Sequence, residues 1–186
     1  ASIRRGTDTV KNEKGYFENS RVQQLNDLIF SSYGSSWQDE FFNLDCLNFK
    51  KDYSKEINKI ITSDFEYSQM FAIKDPRICL LFPLWEKALN DLNIDIKIII
   101  PYRNPLEVAS SLHKRDGMSI EKGMLLWAYH FLLAEKFSRE YDRFFVGFDE
   151  LVSDAEKVIE NISSKFSIDL TKKYQANKKE IDKFIE

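Results

Sequence analysis

The chain has 186 residues, 43% of them hydrophobic and 31% charged, which is too apolar for a disordered segment. It also lacks the run of ~20 apolar residues that a membrane-spanning helix requires. Lys plus Arg number 27 against 30 for Asp plus Glu, a net charge of -3, which argues against a basic nucleic-acid binder and confines any anion site to a local pocket. Two cysteines and two histidines are too few for a zinc cage with the usual ligand spacing. The length predicts a single domain over residues 1–186. The start, Ala1 to Asp8, lacks the apolar stretch of a secretory signal, so the expected location is the cytoplasm.

In chain order, residues 1–14 are polar and turn-rich. Glu18 to Tyr33 then carries Val22, Leu25, Leu28 and Ile29 at spacings of three and four, predicting an amphipathic helix that Gly34 ends. Residues 37–53 are aromatic and irregular, and Tyr53 to Ile61 predicts a short helix. Met70 to Ile73 is a short apolar run stopped by Lys74-Asp75-Pro76-Arg77, which predicts a first buried parallel strand. Ile78 to Leu92 predicts a helix with Pro83 inside it, and Ile96 to Ile100 a second strand rich in β-branched residues. Asn104 and Pro105 have the chemistry of an N-cap and a first helical position, opening a helix through Leu112. A long helix follows from Ser119 to Tyr141, with Met124, Trp127, Phe131 and Ala134 as its apolar stripe. Arg143 to Phe148 predicts a third strand, Val152 to Phe166 a helix, and Thr171 to Glu186 a charged peripheral helix or tail. Strands alternating with helices indicate an α/β fold with parallel crossovers.

In open parallel sheets, ligands bind beyond the carboxyl ends of the strands. All three predicted ends are polar: Lys74-Asp75-Pro76-Arg77, Arg103-Asn104 and Asp149-Glu150. Cations at neighbouring strand ends beside a helix N-terminus suit a phosphate or sulfate, although strand-end charges paired with local carboxylates give the same pattern. Ser111 lies two helical turns beyond Asn104 and returns to the same side of the helix, where it can join Arg103 on one phosphate or simply pack helix on sheet.

Four segments in this order are similar to the landmarks of bacterial sulfotransferase-like proteins: Gly15-Tyr16-Phe17-Glu18-Asn19, Lys74-Asp75-Pro76-Arg77, Arg103-Asn104-Pro105 through Ser111-Leu112, and Gly123-Met124-Leu125-Leu126-Trp127. The resemblance implies a P-loop NTPase-like three-layer α/β fold with a mainly parallel central sheet flanked by helices. It implies transfer of a sulfuryl group from 3′-phosphoadenosine 5′-phosphosulfate, without metal, to a hydroxyl or amine of a small-molecule or glycan acceptor. By the same resemblance, Arg103 and Ser111 bind the donor's 3′-phosphate. Phe148 stands where many relatives place an adenine-contacting tyrosine and keeps only the packing role, while Arg77 joins the cofactor-binding set. Lys74 matches the lysine that contacts the donor or transition state. Eukaryotic cytosolic relatives carry a catalytic histidine two residues later, and here that position is Pro76. Glu18 takes the place of the base used in another branch, with Asp75 second and His113 third among candidate bases. Glu18 also suits the first turn of a helix for its charge alone. His130 falls on a stripe more typical of core than of a site.

One departure from the family concerns the cradle for the 5′-phosphosulfate, a strand, a loop rich in Ser, Gly and Thr, and a helix, all ahead of the segment matching Gly15 to Asn19. Only fourteen residues precede Gly15, and Arg5-Gly6-Thr7 echoes the loop without a strand before it. The expectation is a chain holding the 3′-phosphate half of the site, either part of a longer sequence or a relative that has lost the loop and binds nucleotide or a sulfated ligand without catalysis. A P-loop kinase is disfavoured by the absence of a Walker Gly-Lys-Ser/Thr loop.

Overall fold

The computed structural model describes residues 18–42, 51–66 and 68–185. Among them are eight helices and a two-stranded parallel sheet, so the chain is α/β. Helix α1 spans Ser20–Ser32, α2 Ser54–Phe65, α3 Ile78–Asp91; strand β1 spans Lys97–Tyr102; α4 spans Pro105–Asp116 and α5 Ile120–Phe137; β2 spans Asp142–Gly147; α6 spans Phe148–Ser153, α7 Ala155–Phe166 and α8 Thr171–Ile185.

Local chemistry explains most of these boundaries. The Asn19 side chain accepts from the N–H groups of Arg21 and Val22, satisfying donors that the first turn of α1 leaves open. Asn104 does the same for Leu106 at 2.9 Å, with Pro105 at the first helical position where its missing N–H costs nothing. Gly117 closes α4 at φ 70°, a left-handed conformation that a side chain would strain, and its N–H donates to the His113 carbonyl. Ser119 caps α5 and Asp154 caps α7, accepting from Lys122 and Lys157.

The main core is helical. Val22, Ile29 and Phe30 of α1, Ile57 and Ile61 of α2, and Leu80, Leu81 and Trp85 of α3 pack together with Leu133 of α5, and most are wholly withdrawn from water. At ~25 cal/mol per Å² of apolar surface, each such aliphatic side chain contributes roughly 1.5–3 kcal/mol. A second cluster joins Val146 of β2 to Val158, Ile162 and Phe166 of α7.

The sheet places α5 and α7 on opposite sides of itself. Lys97 to Tyr102 run parallel to Asp142 to Gly147, residue for residue. Side chains alternate across a strand, so Tyr102 shares a face with its cross-strand neighbours Phe145 and Gly147, and both aromatic rings meet Phe131 of α5 at 6.3 and 6.1 Å. Phe144 and Val146 take the other face, against α7. Helix α5 therefore bridges the helical core and the sheet.

Three expectations are corrected. Met70 to Ile73 form no strand: Phe71 stacks on Phe65 at 4.6 Å and both Phe71 and Ile73 pack on the helical core. The run is apolar because alternate residues meet helices. The buried side of α5 carries Gly123, Leu126 and Leu133, rather than the stripe beginning at Met124, which is exposed. The helix expected from Val152 to Phe166 is two helices, because Asp154 leaves helical geometry at φ -151° and ψ 71° to cap α7. Among the described residues no helix is long and apolar enough to cross a membrane.

Candidate functional site

The sequence-predicted residues fall into two sets. The first lies at the carboxyl ends of β1 and β2, which the parallel register brings side by side with Tyr102 opposite Gly147. The next residue of each strand turns them toward one another: the Arg103 guanidinium lies over the Phe148 ring, 4.3 Å from its centroid. A cation on an aromatic face is attracted by the ring quadrupole. Asn104 caps α4 immediately after Arg103, and Ser111 is exposed two turns along the same helix. Both Arg103 and Phe148 reach solvent. The arrangement thus offers a positive fork, a helix N-terminus, a hydroxyl and an aromatic surface, the chemistry for an anion attached to a flat apolar group.

Arg103 has a further partner that the sequence reading does not pick out. Its Nε–H donates to Glu107 Oε2 at 2.5 Å, in an exposed pair one turn apart on the surface. The signal was available, since Arg103 and Glu107 stand at the i,i+4 spacing that brings side chains together on a helix flank. At the other strand end Glu150 folds back to accept the Gly147 N–H at 3.3 Å.

The second set lies where α1 meets the start of α3. Lys74 Nζ donates to Glu18 Oε1 at 2.8 Å, and Gln23 Nε2 donates to Glu18 Oε2 at 3.3 Å. Glu18 is buried while Lys74 stays 61% exposed. The Asp75 side chain is 1% exposed and accepts three hydrogen bonds: Oδ1 from the Arg77 N–H and Nη1, and Oδ2 from Asn26 Nδ2 at 3.1 Å. Asn26 in turn accepts from Trp85 Nε1 at 2.9 Å, and Arg77 donates through Nε to Asp27 at 2.7 Å. Burial opposes the charge on Arg77, but the carboxylates of Asp75 and Asp27 outweigh it and hold its pKa above the usual arginine value. Asp75 and Arg77 therefore tie α1 to α3. Among the described residues, the hydrogen bonds and ion pairs of this set do not reach the first.

The remaining candidates lie apart. His113 Nδ1–H donates to the Met118 carbonyl at 2.7 Å in the turn after α4. His130 Nδ1–H donates to Leu126 within α5. Burial pushes the Cys79 thiol up to about 11, the nearby Asp75 charge adding to it against a backbone hydrogen bond, so this cysteine stays a neutral thiol at neutral pH. Two surface grooves, one lined by Ser153, Glu156, Tyr174 and Lys178 and the other by Ser35, Asp39, Phe41 and Lys122, contain none of the predicted site residues. Arg5-Gly6-Thr7, Gly15-Tyr16-Phe17 and Cys46 lie outside the described residues.

No family model matches the chain, and neither the curated proteins nor the solved structures contain a match to it.

Proposed function

We propose that the chain is a sulfotransferase-type domain, of P-loop-like three-layer α/β architecture, that binds 3′-phosphoadenosine 5′-phosphosulfate and works in the cytoplasm on a hydroxyl or amine of a small-molecule or glycan acceptor. The observation that carries the reading is the Arg103 guanidinium lying on Phe148 where two parallel strands end, beside the capped N-terminus of α4. Arg103 and Ser111 take the 3′-phosphate, and Phe148 offers its remaining surface to the adenine. In the transfer, the acceptor oxygen or nitrogen attacks sulfur, the bond from sulfur to the 5′-phosphate oxygen breaks, and adenosine 3′,5′-bisphosphate leaves. Glu18 receives the acceptor proton and Lys74, its ion-pair partner, supplies positive charge to the transferring group.

The test is calorimetric titration with adenosine 3′,5′-bisphosphate and with adenosine 5′-monophosphate, which lacks the 3′-phosphate. Arg103→Ala is expected to cost about 1.5–3 kcal/mol with the bisphosphate, the range of a charge-assisted hydrogen bond, and to leave the monophosphate nearly unaffected. Ser111→Ala costs less. Equal losses for both ligands would remove the assignment. A second reading, nucleotide binding without catalysis, is favoured by the engagement of Asp75 and Arg77 in a buried network. Bound nucleotide with no sulfated product in a donor assay would select it.

A further inference from the structure

Arg103 is the cation on which the proposed 3′-phosphate site depends, and it is already in contact with an anion. Its Nε–H donates to Glu107 at 2.5 Å, while its two Nη groups hydrogen-bond to no described residue. Its Cζ lies over the Phe148 ring, 4.3 Å from the centroid. The ring attracts the cation, the carboxylate takes the Nε edge, and among the described residues the Nη end of the fork is left for a ligand. Glu107 therefore has two effects on an incoming phosphate that oppose each other. Its hydrogen bond orients the fork, which lowers the entropy lost on binding. Its negative charge, one guanidinium away from the phosphate, repels it.

We infer that Glu107 is a positioning residue that sets how tightly the 3′-phosphate is held, orienting Arg103 through its hydrogen bond while its charge keeps nucleotide affinity below what Arg103 would otherwise give. The inference rests on the reading of this site as a 3′-phosphate site. Magnitudes favour a weak brake over a lock. Arg103 and Glu107 are 42% and 50% exposed, and exposed ion pairs of this kind are weak and screened by salt. A dianionic phosphate forming two parallel hydrogen bonds with the Nη end outweighs the repulsion from Glu107, whose bond to Nε stays in place. The consequence for turnover is that Glu107 hastens release of the bisphosphate product.

The two effects separate in Glu107→Gln, because a glutamine oxygen still accepts from Nε while the charge is gone. Glu107→Ala removes both. With the full chain, adenosine 3′,5′-bisphosphate is titrated into the wild type and both variants at low and high salt, with adenosine 5′-monophosphate as the ligand lacking the 3′-phosphate. Thermal melts confirm folding. Glu107→Gln is expected to bind the bisphosphate ~2- to 5-fold more tightly than the wild type, with slower dissociation and a gap that closes as salt rises. Glu107→Ala should gain less than Glu107→Gln, and the monophosphate should respond to neither substitution. Equal or weaker bisphosphate binding by Glu107→Gln, or an equal gain with the monophosphate, overturns the inference and leaves the nucleotide site standing. No bisphosphate binding by either the wild type or Glu107→Gln overturns the inference and the site together.

Discussion

His130 illustrates how one side chain in this fold makes stability depend on pH. Its imidazole lies half-buried on α5, and burial pushes its pKa below the usual histidine value, against the smaller opposing effect of the Leu126 carbonyl that accepts from Nδ1–H at 2.9 Å. The sign follows from proton uptake. Below about pH 6.5 the unfolded chain protonates this histidine and the folded chain does not, so protons stabilise the unfolded state. The contribution of His130 is complete above about pH 6.5 and is lost as pH falls toward its depressed folded value. Denaturant unfolding of the wild type and His130→Gln at a series of pH values from about 8 to about 5 should show a shallower loss of stability in the variant. Parallel curves would show that other groups cause the decline.

At the scale of the elements, the crossing of α4 and α5 controls where the site sits. Gly123 of α5 packs against Ala109 of α4 so closely that a Cβ on Gly123 would lie 2.9 Å from both Cα and Cβ of Ala109. Ala109 is fully buried, and its Cα is backbone, so the conflict is relieved only by separating the helices. In an isolated helix Gly→Ala gains up to about 1 kcal/mol, whereas overpacking a core costs about 1–3 kcal/mol. Gly123→Ala is therefore expected to destabilise by about 1 kcal/mol net, and because α4 begins beside Arg103, to weaken nucleotide binding as well. Chemical denaturation with calorimetry checks both, and a stabilised variant with full affinity would show that the helices part freely. The same pair of helices shows what was legible beforehand. The start of α4 was written in Asn104 and Pro105, whose capping chemistry is local. The buried face of α5 was not, because the helix is apolar nearly all round and meets α3, α4 and the sheet on different sides, so no single stripe stands out. Met70 to Ile73 misled for a related reason: an apolar run records contact with something buried, and here that is the helical core.

Across the whole molecule, the part of the candidate site that could be read from sequence is the part that topology brings together. Arg103 and Phe148 each follow a strand, and pairing those strands in parallel is enough to make them meet. The roles of Asp75 and Arg77 could not be read, because their partners Asn26, Asp27 and Trp85 are distant in the chain and the contacts depend on how α1 packs on α3. That network makes a prediction separating structural from catalytic roles. Asp75→Ala leaves the Asn26 amide without its acceptor, deep in the core, and leaves Arg77 with Asp27 alone. Breaking a buried ion pair from one side costs about 3–5 kcal/mol, and the surviving Asp27 contact places the expected loss near the lower end, about 3 kcal/mol. Asp27→Ala removes the half-exposed partner of the same arginine, and exposed pairs contribute about 0–1 kcal/mol. Urea unfolding should therefore rank Asp75→Ala far below Asp27→Ala, with nucleotide affinity per folded molecule unchanged in both, since neither residue touches Arg103 or Phe148. If Asp75→Ala instead kept wild-type stability and lost sulfuryl transfer, Asp75 would act on substrate, and α1 would be joined to α3 by the Asn26–Trp85 and Asp27–Arg77 contacts without it.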